Sequence, residues 1–206
     1  GTVTGVQTCA LPICELLGLD KEISELIQVK PGETFSAAAA NATSTAITDY
    51  LGELGYAFAN VNPNPVLNRE TGEADLTFYV DPRRRVYVRR IQIGGNTRTR
   101  DEVVRREMRQ QEAAWYNAGD IKASRDRIDR LGYFNDVNVS TEPVPGSPDQ
   151  VDINVDVKEK PTGVINLGVG YGSTERAILS AGISEDNVFG SGTNLTLQVN
   201  TSRTNR

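Results

Sequence analysis

The tripeptide Leu-Gly-Tyr occurs twice, at positions 54–56 and 131–133, each time closing a helical stretch and opening an extended one. Beyond each copy come a turn-rich segment and an alternating strand: Leu76, Phe78 and Val80 in the first, Val151, Ile153, Val155 and Val157 in the second. A period of roughly 75 residues is too long for a solenoid repeat and fits a small domain used in tandem. This repeat limits the architecture more than any other feature, because both halves must fold by the same plan.

The second copy spells that plan out. Tyr87 to Ile93 alternates as a strand and ends in the turn cluster Gly94-Gly95-Asn96. Thr99-x-x-Glu102 has the form of a capping box, and Val104 and Met108 at i, i+4 predict a helix behind it. A second helix is expected near Asn117, with Ile121, Ile128 and Leu131 on one face, stopped by Gly132. Strands near Val137–Val139 and Val151–Val157, separated by Pro143-Val144-Pro145-Gly146-Ser147-Pro148, complete the order β-α-α-β-β. Two helices over one face of a three-stranded sheet make an α+β module. The first copy offers a helix around Ile23, Leu26 and Ile27 that stops before Pro31, a helix through Ile47, Tyr50, Leu51 and Leu54, and two strands. Its opening strand is missing from the pattern.

Where that strand should stand, Val3 to Ile13 read VTGVQTCALPI, which is one translated frame of a widely used sequencing-library adapter. Residues 1–14 are therefore expected to be adapter-derived and are set aside from fold reasoning. Cys9 and Cys14, the chain's two cysteines, fall in or against this stretch, so their spacing carries no message about disulfides or metals. The natural N-terminus, with any signal peptide, is expected to lie upstream of what the sequence shows.

After Pro161 the helical period gives way to three alternating stretches. Ile165, Leu167, Val169 and Tyr171 oppose Asn166, Gly168, Gly170 and Gly172; Leu179, Ala181 and Ile183 oppose Ser180, Gly182 and Ser184; Leu195, Leu197 and Val199 oppose Thr196, Gln198 and Asn200. One apolar face and one small or polar face suit strands with lipid outside and a polar lumen inside. The same alternation suits a soluble sandwich sheet with one wet face. Three strands cannot close a barrel, so under the lipid reading more strands are expected beyond Arg206.

The composition removes whole classes of chemistry. With no histidine there is no Ser/His/Asp triad, no Cys/His dyad and no HExxH zinc site. No catalytic, metal-binding or cofactor-binding residue is expected, and no cofactor. A net charge of -5 argues against nucleic acid as the partner, although Arg83 to Arg109 holds ten arginines. No aromatic platform interleaves with them, so a solvated face near a membrane or an acidic partner is the better reading. Gly168-Val169-Gly170-Tyr171-Gly172 precedes no helix and is a poor phosphate cradle. Trp115 is expected in the core. The triplets at Asn41, Asn194 and Asn200 carry no message, and Glu185 and Asp186 alternate across a strand, which makes them poor acid/base partners.

Val86-Tyr87-Val88-Arg89-Arg90-Ile91, Gly95-Asn96-Thr97, Arg105-Arg106-Glu107-Met108-Arg109-Gln110, Leu131-Gly132-Tyr133-Phe134 and the run from Pro143 to Asp152 resemble the POTRA-plus-barrel proteins of Gram-negative outer membranes. Within that family the wording is closest to the β-barrel assembly factors. The resemblance covers Glu15 to Arg206. It implies a fourth-like POTRA module lacking its first strand at 15–85, a complete fifth-like module at 86–160, and the first three barrel strands at 161–206. It implies further that the chain helps fold and insert β-barrel proteins into the outer membrane without ATP, with its POTRA modules in the periplasm and no enzymatic activity.

The implied partners are periplasmic lipoproteins of the assembly complex, unfolded outer-membrane clients and outer-membrane lipid. Lipoprotein contact is carried over to Arg109 and Glu112, on an arginine- and glutamate-rich helix. The barrel's first-strand seam is carried over to Ile165, Leu167, Gly168, Val169, Gly170 and Tyr171. Three earlier POTRA modules, most of the barrel and its lid loop are absent, so this segment by itself is expected to be inactive. Two other readings stay open: a two-partner secretion transporter of the same architecture, and a periplasmic scaffold or adhesion protein.

Overall fold

A computed structural model describes residues 5–10, 19–29, 34–68, 70, 73–171 and 178–202. Cys14, Pro31 and Gly172, which figured in the sequence reading, lie outside the described residues. By internal contact the chain divides into two compact units. One comprises Gly1–Arg90, Gln110–Ile121 and Thr141–Asp152; the other Ile91–Arg109, Lys122–Ser140 and Ile153–Arg206. Each unit holds part of the second repeat.

The first unit contains β1 (Gly5–Ala10), α1 (Asp20–Glu25), α2 (Ala37–Glu53), β2 (Asn60–Asn68) and β3 (Glu73–Asp81). The strands pair in the order β1-β3-β2. Ser36 starts α2 by accepting the Ala39 amide proton on its hydroxyl at 3.3 Å. Ile23, Ile47, Leu51, Leu76 and Phe78, all fully buried, belong to one apolar core. Thr43, a polar residue within it, is satisfied by the Gln28 amide at 3.1 Å. β2 is an edge strand, which explains how it accommodates Pro63 and Pro65: a proline has no N–H for a ladder and is tolerated where the nitrogen faces away from the partner.

The adapter-like stretch supplies β1, which runs parallel to β3 with an irregular register between Val6 and Cys9. The first module's open position is therefore occupied. Ladder pairing uses backbone groups alone, so an extended segment of any moderately β-prone sequence can fill an open edge.

The second repeat contributes β4 (Tyr87–Gly94), α3 (Asp101–Arg105), α4 (Ala118–Arg130), β5 (Phe134–Pro143) and β6 (Gln150–Glu159), with sheet order β4-β6-β5. The order first-third-second thus recurs in both modules. Within the first unit, Val88 donates to Ala114 and accepts from Ala113, and Tyr116 donates to Val86, so residues 113–116 cover the outer edge of β4. Arg89 grips the Asp152 carboxylate through Nε at 2.8 Å and through Nη2, and Arg90 adds a contact at 3.4 Å. The Arg89 guanidinium holds the Asp152 carboxyl below its usual range. The repeats meet in this unit: Val86 donates to the Gly55 carbonyl at 2.9 Å, and Gly52 approaches Ala118 so closely that a Cβ would come within 2.8 Å of it.

α4 begins as its sequence suggested, with the Asp120 amide on Asn117 Oδ1 at 3.0 Å. α3 does not. The Thr99 amide is bound by Glu159 and its hydroxyl accepts from Asn187, so the capping box never forms and the helix starts one residue later, with Arg100 at the N-cap position. It spans five residues, leaving Met108, Arg109 and Glu112 beyond it. α1 is similarly short, ending at Glu25 before Ile27. Trp115 is 53% exposed, against the expectation of a core role. Its ring lies edge-on to Tyr87 and beneath the Arg85 guanidinium at 4.4 Å.

The second unit ends in β7 (Gly163–Gly170), β8 (Ile178–Glu185) and β9 (Leu195–Ser202), antiparallel in the order β7-β8-β9. Among the described residues no helix is long and apolar enough to cross a membrane.

Phe78→Ala is expected to cost about 3–5 kcal/mol in urea unfolding, because the phenyl fills a closed core. Gly132→Ala should cost only about 1 kcal/mol, since its φ of +75° is the sole obstacle. Gly95→Ala should cost more, as the new Cβ would lie 2.0 Å from the Val157 carbonyl oxygen.

Candidate functional site

The second unit is organised around one carboxylate. Glu159, the last residue of β6, accepts the Thr97 hydroxyl at 2.7 Å, the Arg98 amide at 2.9 Å and the Thr99 amide at 2.6 Å. Partial burial raises this carboxyl, but the Thr97 hydroxyl and the Thr99 and Arg98 amides outweigh it and bring the pKa down to about 2. The loop so fixed receives the turn between β8 and β9. Arg100 donates to Gly190 at 2.9 Å, Asn187 Nδ2 to Thr99 Oγ1 at 2.8 Å, and the Tyr133 hydroxyl to Gly192 at 3.3 Å. Gly190 has a φ of +69°, and a Cβ there would stand 1.9 Å from the Arg98 carbonyl oxygen, so the contact demands glycine. Asn187 Oδ1 accepts the Gly192 amide at 2.8 Å and closes the turn. The Thr162 hydroxyl bonds Glu185, tying the start of β7 to the end of β8.

From this base rise the strands carrying the expected seam. Every residue of β7 pairs with β8, with Ile165 opposite Ile183, Leu167 opposite Ala181 and Val169 opposite Leu179. β8 carries the pattern on, with Ile183 opposite Leu197 and Ala181 opposite Val199. The apolar side chains form one face and stay exposed: Ile165 72%, Leu167 80%, Val169 85% and Tyr171 81%. The other face carries Asn166, Gly168, Gly170, Ser180 and Gln198. Gly168 is crowded there, since a Cβ would come within 2.5 Å of Ser180 Oγ, whereas Gly170 meets only ordinary contact. β7 is a terminal strand, so its outer backbone groups lack a ladder among the described residues.

Arg109 and Glu112 are both exposed and lie in the connection between α3 and α4, not on a helix. The Arg109 amide donates to Ser124 Oγ at 2.8 Å, which fixes the backbone at this exposed residue. The stretch around Glu112 is shaped by Gln110, which closes the Arg105–Gln110 motif but had no role read into it. Gln110 is 3% exposed, donates through Nε2 to the Gln111 and Trp115 carbonyls at 3.1 and 3.0 Å, and accepts the Asn117 amide at 2.8 Å. Glu159 and Asn187 were also passed over. No local sequence signal marks them, because each acts on a loop far away in the chain. The arginine run is partly consumed internally: Arg89 and Arg90 on Asp152, Arg105 on Asp101, Arg106 on Glu107. Among the described residues no cluster of side chains could hold a metal ion.

The POTRA family, described as surface antigen variable number repeat, matches residues 17–83 and 86–160. The outer membrane protein assembly factor BamA of Neisseria meningitidis serogroup B is 38% identical over 183 residues, covering 89% of this chain and 23% of that protein. BamA of Buchnera aphidicola is 32% identical over 184 residues, covering 89% of this chain and 30% of that protein. The chain thus spans less than a third of these relatives' length. The crystal structure of Haemophilus ducreyi BamA lacking POTRA domains 1–3 superposes with a TM-score of 0.81 at 36% identity, over 96% of this chain and 37% of that one. The Haemophilus influenzae BamA POTRA3–5 structure gives 0.71 at 35% identity, over 75% and 61%.

The depressed pKa of Glu159 has a pH signature. The folded value, about 2, lies below the ordinary 4.5, so the stabilisation is complete above pH 4.5 and is lost as pH falls towards 2. Discounted for solvent screening it amounts to about 1 kcal/mol. Glu159→Gln should lower stability by about that amount at pH 7 and flatten the acid limb of unfolding midpoints measured between pH 7 and pH 2.5.

Proposed function

Because the chain belongs to the POTRA family, and its relatives are outer membrane protein assembly factors, we propose that it is the membrane-proximal part of such a factor. On this reading the two modules stand in the periplasm, β7–β9 begin a barrel in the outer membrane, and the whole protein folds and inserts client β-barrels. The observation that carries it is the apolar face of β7–β9. A soluble sandwich would bury that face against a second sheet, but here its side chains are mostly more than half exposed while the polar face alternates with them in strict register. The relatives are named for assembly.

Within this reading β7 is the seam. Its free edge can template an incoming client strand through backbone bonds, which makes few demands on client sequence. Glycine at 168 and 170 gives that strand little side-chain anchorage on its polar face. Arg109 and Glu112 are proposed as contacts for a periplasmic lipoprotein, supported by the exposure of both residues. Opposite charges at an exposed rim steer association and fix register more than they add affinity.

Cysteines placed singly at Ile165, Leu167 and Val169 in the full-length protein are expected to cross-link a stalled client in the assembled complex, with cysteines in β2 as the negative control. Absence of adducts along β7 would rule out the seam. Leu167→Arg tests the membrane placement independently. It should cost about 2–4 kcal/mol in lipid if the residue sits near the bilayer midplane, and almost nothing in a soluble sheet.

A further inference from the structure

At the foot of β7 and β8 the second unit forms a half-open cavity of about 560 Å³, within the range of small-ligand sites. Its wall includes Arg98, Lys160, Glu159, Glu185, Tyr133 and Phe189. A smaller cavity of about 220 Å³ adjoins Arg98, Glu159 and Lys160 as well. Of the two carboxylates, Glu159 is saturated by the Thr97 hydroxyl and two amides, so it has little left to offer. Glu185 bonds the Thr162 hydroxyl and keeps acceptor capacity. Arg98 and Lys160 have no ion-pair partner among the described residues, and both are exposed. The wall therefore presents two cations beside one carboxylate able to accept more.

The apolar surroundings add direction. Alternation along β8 puts Glu185 on the same face as Ile183 and Leu179, so the cavity adjoins the lower end of the exposed apolar face. Phe189 is 89% exposed with a φ of 51°, a backbone state that a bulky residue adopts only when its neighbours impose it. Here Gly190 and Asn187, both pinned to the loop at Thr99, hold it there. The result is a phenyl ring at the foot of an apolar sheet, the position that aromatic side chains take at a membrane interface.

We propose that this cavity seats the headgroup of a phospholipid carrying phosphoethanolamine, its phosphate between Arg98 and Lys160, its ammonium on Glu185, and its acyl chains against Phe189 and the apolar face of β7 and β8. The inference rests on the membrane placement of β7–β9 proposed above. A zwitterion with a hydrogen-bonding ammonium fits both signs of the wall, and an acidic peptide would leave the carboxylate and the ring without use. The site would bind one lipid where the strands meet the second module and so couple the module to the bilayer.

The test uses the full-length protein, first in vesicle flotation and then in native mass spectrometry with phosphatidylethanolamine, phosphatidylcholine and phosphatidylglycerol offered in turn. Retention of phosphatidylethanolamine over the other two is expected. Arg98→Gln with Lys160→Gln should reduce it on the order of tenfold, and Glu185→Gln should remove the preference over phosphatidylglycerol. Both variants should still float with vesicles, because neither replaces an apolar side chain of the exposed face. Failure of the wild-type protein to float would overturn the membrane placement itself. Flotation with no preference among the three lipids would overturn only the lipid site, as would displacement of the bound lipid by millimolar inorganic phosphate.

Discussion

Unpaired strand edges are the constraint on which this structure turns. Among the described residues, three sheets of three strands expose six edges, and every edge is a row of backbone donors and acceptors that must find partners or water. The modules answer locally. β1 occupies the outer side of β3, β2 carries two prolines that cannot donate, and residues 113–116 pair along β4. Among the described residues the sheet of β7, β8 and β9 has no such cover on β7, and it shows an apolar face besides. In water that combination would be a liability. On the proposed reading the bilayer would cover the apolar face, and the outer edge of β7 would be the one a client strand extends.

The second constraint is how a loop can be made rigid enough to bear a sheet. Glu159 does this with one carboxylate and three donors, at a cost in desolvation that the hydrogen bonds exceed. Once Thr97 to Thr99 is fixed, the turn from Asn187 to Gly192 can dock through backbone groups, and glycine at 190 lets the two chains touch. The same bonds take the Thr99 cap away from α3. The N-terminus of α3 thus gives way to a loop anchor, while Arg109 and Glu112, past the helix's other end, fall in a connection shaped by Gln110.

Much of the architecture was legible in the residues. Alternation at Leu76, Phe78 and Val80 and at Val151 to Val157 located β3 and β6, because a half-buried strand has a period of two whatever surrounds it. Asn117 and Gly132 marked the ends of α4 because capping and positive φ are local chemistry. The tail's alternation gave its three strands for the same reason. Less legible were Trp115, which lies exposed under Arg85, and the first module's opening strand, filled by a stretch set aside as foreign. In both cases the deciding partner is remote in sequence.

The sequence by itself determined the tandem β-α-α-β-β plan and the two-faced character of the tail, since periodicity, caps and turns are properties of neighbouring residues. Only the tertiary structure decided that Glu159 would anchor the Thr97–Thr99 loop, that Asn187 would take the Thr99 hydroxyl, and that Arg98, Lys160 and Glu185 would line one cavity. Those side chains stand as far as 88 positions apart. Long-range hydrogen bonds and charge pairing leave no local pattern from which a reader of the chain could recover them.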